Sequence, residues 1–203
     1  MKIEDARLLL VTDPRLGLVA RVEAAVRGGV DIVQLRDKKA RREELIPLAE
    51  KLKDACERAG ALFTVNDDVE LARIVGADGV HLGEDDDPTS HARGVLGPGA
   101  VVGRSAGGVA QALEAVRGGA DYLGVGAVYA TPTKLKGEVA GLGLIRALAR
   151  EDLPIPWFAI GGVTLETAPS VAEAGAPGFA VVRAVLDAED PESAARELRS
   201  LLA

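Results

Sequence analysis

Short apolar runs and amphipathic stretches alternate along the whole chain, and their order repeats. Residues 24–33, 74–80, 115–123 and 173–180 each pass from a helix tail through a glycine into an apolar run without polar alternation. The glycine suits the position after a helix end, where the left-handed backbone carries no Cβ penalty. Apolar runs of this kind read as strands covered on both faces. Four more strands are predicted at 8–11, 62–65, 101–103 and 156–160. Helices are predicted at 18–27, 42–58, 69–74, 89–95, 108–116, 142–149, 164–173 and 192–201. In the second of these, Leu45, Leu48, Ala49, Leu52, Ala55, Cys56 and Ala59 fall on one stripe, the period of an amphipathic helix. Eight strands alternating with eight helices predict a parallel sheet. At about 25 residues per unit, the economical closed form is an α/β fold of the (β/α)8 TIM-barrel type, near its lower size limit. An open doubly wound sheet is the alternative, but no glycine-rich dinucleotide fingerprint follows the first strand. No linker or low-complexity tract divides the chain, so one barrel domain over residues 1–203 is expected.

Composition narrows the function classes. Hydrophobic residues make up 48% and charged residues 27%, enough for a core under a solvated surface. A formal charge of −7 and an aromatic content of 3% remove the basic footprint and the stacking platforms of a general nucleic-acid binder. No apolar run reaches the roughly 20 residues of a membrane span, and the first residues lack a signal-peptide layout. The lone Cys56 gives neither a disulfide framework nor a cysteine metal cluster. A cytoplasmic enzyme or small-molecule binder, without nucleic-acid or membrane partners, is what remains; a homo-oligomer is compatible with the sequence.

A barrel of this type builds its site from the loops after the strands, so the residues there carry the chemistry. After strand 2 comes Gln34-Leu35-Arg36-Asp37-Lys38-Lys39, where an arginine fork beside lysine point charges suits a polyphosphate; a solvated basic loop is the alternative. After strand 3, Asn66 is the only asparagine of the chain and suits either a ligand or the cap of the helix from Val69. Asp67 follows it, and the acidic run Glu84-Asp85-Asp86-Asp87 follows strand 4. Carboxylates on adjacent loops, with room for water, fit Mg2+ completed by substrate phosphates. His81 reads as a packed barrel residue rather than a metal ligand, and Ser105 as a helix N-cap. After strand 6, Thr131-Pro132-Thr133-Lys134 makes an anion-binding loop. After strands 7 and 8, Gly161-Gly162 and Val182-Arg183 lead into helices whose backbone N–H groups match a recurrent phosphate site. One side of the mouth therefore fits a diphosphate with Mg2+ and the other a monophosphate. A barrel gripping both would join two substrates.

In order and spacing, Gln34-Leu35-Arg36-Asp37-Lys38, Asn66-Asp67, Gly79-Val80-His81-Leu82-Gly83 with Asp86 and Pro88, Thr131-Pro132-Thr133-Lys134 and Ala159-Ile160-Gly161-Gly162 resemble the thiamine phosphate synthase family, which includes thiazole tautomerase paralogues. The resemblance implies condensation of hydroxymethylpyrimidine diphosphate with a thiazole phosphate to thiamine phosphate and pyrophosphate. It implies that Gln34, Arg36, Lys38, Asn66, Ser105 and Lys134 hold the pyrimidine diphosphate and that Asp67 and Asp86 hold Mg2+. It further implies that Thr131, Thr133, Gly161, Gly162, Val182 and Arg183 hold the thiazole phosphate. The family's reaction is dissociative: pyrophosphate leaves first and the thiazole nitrogen captures the pyrimidine cation. On this implication Arg36, Lys38 and Lys134 stabilise the leaving group, with no nucleophilic side chain. The chain departs from the family pattern at Asp68 (often Arg), Glu84 (usually Gln), Gly107 (commonly His) and Arg183 (normally Ser). Tautomerase paralogues are expected to use the His missing at 107, and to lose the lysine kept here as Lys134. A tautomerase-type enzyme and a non-catalytic phosphate-binding barrel remain the alternatives.

Overall fold

The computed structural model describes residues 1–130 and 139–202. Eight strands form a closed parallel barrel in chain order, with β8 hydrogen-bonded back to β1. They are β1 (Leu8–Val11), β2 (Ile32–Leu35), β3 (Leu62–Asn66), β4 (Gly79–Leu82), β5 (Val101–Ala106), β6 (Tyr122–Val125), β7 (Trp157–Ile160) and β8 (Phe179–Val181). The helices around them are α1 (Leu18–Arg27), α2 (Arg42–Ala59), α3 (Val69–Val75), α4 (Thr89–Leu96), α5 (Val109–Arg117), α6 (Gly141–Leu148), α7 (Ala168–Glu173), α8 (Arg183–Leu186) and α9 (Pro191–Ser200). The closed (β/α)8 form holds, and the open-sheet alternative falls. Among the described residues no helix is long and apolar enough to cross a membrane.

Alternation along each strand divides the apolar residues into two cores. Leu8, Leu10, Val33, Leu35, Val80 and Val102 face outward onto helix residues such as Leu52, Leu71 and Ala112. Leu9, Ile32, Tyr122, Phe158 and Ala180 fill the barrel interior. Leu52 is fully buried in the outer layer, where truncation to alanine costs about 2–5 kcal/mol.

The fourfold sequence repeat sets the lower rim. The left-handed residues are Gly29 (φ 100°), Gly76 (61°), Gly119 (83°) and Gly175 (100°). In the two double-glycine copies it is the second glycine that turns, while Gly28 and Gly118 stay right-handed. Three copies place an aspartate two residues further on, and each braces the start of the preceding strand. The Oδ2 of Asp31 accepts from the N–H groups of Arg7 (2.7 Å) and Leu8 (2.9 Å). Asp78 accepts from Phe63 (2.7 Å) and Asp121 from Val102 (2.6 Å) in the same way. The fourth copy carries Pro177 there.

Three local expectations need correction. Strand β5 runs on to Ala106, so Ser105 lies in the sheet, and α5 is preceded by Gly108 instead of being capped by Ser105. The helix predicted from 164 begins only at Ala168. Thr167 Oγ1 donates to Gly162 O (3.0 Å) and accepts from Thr164 N–H (2.9 Å), a turn that competes with helical bonding. The helix start expected at Val182-Arg183 is present, but as a separate four-residue helix, α8, before α9; four residues are too few to show a period.

Candidate active site

At the upper rim the strand ends bring the basic loop of β2 beside the acidic loops of β3 and β4. Thr12, just beyond β1, is buried and pins β2: its N–H donates to Gln34 O (2.9 Å) and its Oγ1 accepts from Arg36 N–H (3.0 Å). Gln34 is itself in the strand and buried inside the barrel. Past Arg36, the Oδ1 of Asp37 accepts from the N–H of Lys39 (2.9 Å) and Ala40 (3.2 Å), so the chain turns and presents Lys38.

Asn66 closes β3 opposite His81 of β4. The helix cap is Asp68, whose Oδ1 accepts from Leu71 N–H (2.9 Å) while its Oδ2 pairs with Arg42 (2.7 Å). The cap alternative for Asn66 therefore falls. Between them, Asp67 has φ 62°, the one left-handed non-glycine among the described residues. Aspartate tolerates that region better than most side chains, and such outliers gather at functional sites. Its N–H donates to His81 O (2.9 Å).

The Asp67 carboxylate meets two groups of opposite sign. Lys38 Nζ lies 3.2 Å from its Oδ2, and the Asp86 carboxylate, from the β4–α4 loop, lies within hydrogen-bonding reach. Burial first, and the Asp86 carboxylate second, hold Asp67 above the ordinary carboxylate range, with Lys38 opposing them. Asp86 is aimed by its own loop, its Oδ2 accepting from Gly83 N–H (2.6 Å). That loop is held from the neighbouring strand and helix. Arg104 Nη1 donates to Asp87 O (2.8 Å). Gln111 Nε2 donates to Glu84 Oε1, and its Oε1 accepts from Gly107 N–H (2.6 Å). The two departures at Glu84 and Gly107 thus meet on one glutamine. The hard oxygens of Asp67 and Asp86, brought together at the rim, fit a divalent cation. No group of three or more metal-ligating side chains forms among the described residues.

A cavity of about 150 Å³ is lined by Leu35, Asp37, Lys38, Asn66, Asp67 and Asp68, among others. A larger one, about 400 Å³, opens near Glu4, Leu153, Pro156 and Trp157 and includes none of the predicted site residues.

Across the mouth, Gly161 (φ 99°) and Gly162 (φ 67°) form a left-handed turn against the β6 loop. A Cβ on Gly161 would lie 2.7 Å from Ala127 Cβ, and one on Gly162 2.6 Å from Tyr129 Cβ. Val128 N–H donates to Ile160 O and Tyr129 N–H to Gly161 O, both at 2.9 Å. Val182 precedes α8 and Arg183, exposed, begins it. Arg15 ties this side together, pairing with Asp13 (2.6 Å) and Asp187 (2.7 Å) and donating to Leu186 O. Because α7 starts late, the Gly161-Gly162 turn, not a helix start, faces this side after β7. Thr131, Thr133 and Lys134 lie outside the described residues.

Beneath the mouth sit His81, buried in the barrel as the sequence suggests, and Tyr122, to which the sequence reading gave no role. His81 Nε2 is 3.1 Å from Ser105 Oγ, and its Nδ1 is 3.2 Å from the fully buried Tyr122 hydroxyl. The Tyr122 hydroxyl also lies within hydrogen-bonding reach of the Thr64 and Gln34 side chains. A tyrosine heading a strand beside glycine-bearing neighbours was the available signal.

A closed (β/α)8 barrel with a basic loop and paired carboxylates at its C-terminal rim is the class that the fold and the site define. Comparison makes this particular. The thiamine monophosphate synthase family model matches residues 8–185, and the chain belongs to that family. It is 48% identical over 206 residues to a thiamine-phosphate synthase of Synechococcus sp. (strain WH7803), covering 99% of this chain but 58% of that protein. The chain thus spans little more than half the length of the cyanobacterial relatives it matches. It is 45% identical over 217 residues to a thiamine-phosphate synthase of Mycobacterium bovis (strain BCG / Pasteur 1173P2), covering 99% of this chain and 96% of the relative. Among solved structures, a thiamine phosphate pyrophosphorylase from Pyrococcus furiosus superposes with a TM-score of 0.87 at 38% identity, covering 98% and 96% of the two chains.

Proposed function

We propose that this chain, as one barrel domain over residues 1–203, condenses hydroxymethylpyrimidine diphosphate with hydroxyethylthiazole phosphate in the cytoplasm, giving thiamine phosphate and pyrophosphate. The observation that carries the proposal is the placement of Asp67 against both Asp86 and Lys38 at the upper rim, in a chain of this family. In the reaction the C–O bond between the pyrimidine methylene and its diphosphate breaks, and a C–N bond to the thiazole nitrogen forms. No side-chain nucleophile is required; the work is leaving-group stabilisation and positioning. Arg36, Lys38 and Lys134 are assigned to the departing diphosphate. Asp67 and Asp86 would hold Mg2+, which when bound supplies further charge neutralisation to that diphosphate. Gln34, Asn66 and Ser105 are assigned to orienting the pyrimidine substrate. Thr131, Thr133, Gly161, Gly162, Val182 and Arg183 are assigned to the thiazole phosphate, the glycines offering close backbone N–H approach. Gly107 leaves the strand 5 loop without the histidine expected of a tautomerase. The test is pyrophosphate release by the purified chain with Mg2+ and both substrates. Release that needs both substrates is expected; no release overturns the proposal.

A further inference from the structure

The barrel floor carries a buried polar bridge that the assigned contacts do not use. Tyr122, His81 and Thr64 are buried, and none of them is among the residues assigned to a ligand. Two glycines make the bridge possible. A Cβ on Gly103 would lie 2.1 Å from Tyr122 Cζ and 2.6 Å from His81 Nδ1, and one on Gly124 would lie 3.2 Å from His81 Cε1. Strands β5 and β6 thus leave side chains out where the two rings sit. Phe158 meets Tyr122 edge-on, with ring centroids 5.7 Å apart, and fixes the ring from below. The bridge spans the barrel: His81 hydrogen-bonds Ser105 on β5 (3.1 Å) and Tyr122 on β6 (3.2 Å), and the Tyr122 hydroxyl lies within hydrogen-bonding reach of Gln34 on β2. A polar row through an apolar interior is costly unless every member is satisfied, and no buried side-chain nitrogen or oxygen among the described residues lacks a partner.

We propose that Tyr122 and His81 are positioning residues that hold Gln34 and Ser105, from opposite walls of the barrel, in the geometry that receives the pyrimidine ring. The proposal rests on the assignment of Gln34 and Ser105 to that substrate. The Tyr122 hydroxyl fixes the Gln34 amide, which otherwise could flip or withdraw. The His81 ring fixes the Ser105 hydroxyl and so decides which way its O–H points. Burial foremost holds the Tyr122 phenol far above its ordinary value, so its O–H is intact at working pH. None of the residues assigned to the thiazole phosphate is a member of the bridge.

The test is steady-state kinetics of Tyr122→Phe and His81→Asn, varying each substrate in turn, with binding of the pyrimidine diphosphate alone measured by calorimetry. Tyr122→Phe keeps the ring and its contact with Phe158 and removes one oxygen. The expected result is a KM for the pyrimidine diphosphate raised by about tenfold, with the KM for the thiazole phosphate within about twofold of wild type and calorimetric affinity weakened in parallel. Equal changes in both KM values, or no change in either, overturn the proposal. If His81→Asn fails to fold, Tyr122→Phe decides alone. A wild type that binds the pyrimidine diphosphate yet releases no pyrophosphate removes the synthase assignment, and the calorimetric comparison still decides the bridge. A wild type that does not bind it overturns both.

Discussion

The two rims of the barrel use aspartate in opposite ways. At the lower rim Asp31, Asp78 and Asp121 each accept backbone N–H groups from the start of a neighbouring strand, at 2.6–2.9 Å. Two of them also sit near a cation, Asp31 with Arg199 at 3.4 Å and Asp121 with Arg93 at 2.8 Å. At the upper rim Asp67 and Asp86 meet each other, and the first is held in a left-handed backbone. The lower carboxylates close donors the barrel leaves open. The upper pair stores an electrostatic conflict that a cation would relieve. This is the division expected of the fold, with stability at one end and chemistry at the other.

Lys134→Ala probes the assignment to the departing diphosphate, where the expected effect is largest. Turnover should fall by on the order of a hundredfold from lost leaving-group stabilisation, with the thermal midpoint unchanged. A fall of less than about threefold would move the leaving group away from this loop.

The conflict at Asp67 gives a pH dependence of definite sign. Its folded value is raised, so between the ordinary carboxylate value and the raised one the metal-free fold holds a proton that the unfolded chain has released. That contribution to stability is fully present below the unfolded value and is lost as pH rises through the raised one. A bound cation must displace the same proton, so Mg2+ affinity should weaken by up to about tenfold per pH unit once pH falls below the raised value. Calorimetry from neutral pH down into the ordinary carboxylate range checks this, and Asp86→Asn should flatten the profile. A profile identical in wild type and variant would separate the two carboxylates.

The smallest effect is expected at the strap on the Asp86 loop. Gln111→Ala removes the bridge between Glu84 and the Gly107 backbone. Mg2+ affinity should weaken by about threefold, since exposed polar contacts are each worth little, while turnover at saturating Mg2+ is retained. Loss of turnover at saturating Mg2+ would give Gln111 a role beyond the loop.

Much of this contrast was legible in the chain. The glycine repeats marked the turns because only glycine enters the left-handed region freely, and Asp67 was singled out because a carboxylate follows a strand end. The lower aspartates lay inside the same repeats but were given no role, since a side chain accepting from the preceding strand leaves no local pattern. Strand ends were read short at Gln34, Asn66 and Ser105 because polar side chains pointing into a barrel look like loop residues when only apolar runs are counted. The late start of α7 came from Thr167 bonding back to Gly162, a choice made by one hydroxyl. Tyr122 looked like core and is core; its hydroxyl matters only because β2 and β4 curl round to meet it.

The most direct test pairs one aspartate from each rim in the same protein. Asp67→Ala should lose Mg2+-dependent pyrophosphate release by on the order of a hundredfold while remaining folded, since relief of the conflict with Asp86 offsets the poorer fit of alanine to the left-handed backbone. Asp31→Ala, stripping two N–H groups of their acceptor, should lower stability by about 2–3 kcal/mol and leave turnover per folded molecule unchanged. A stable, fully active Asp67→Ala beside an inactive but stable Asp31→Ala would contradict the account.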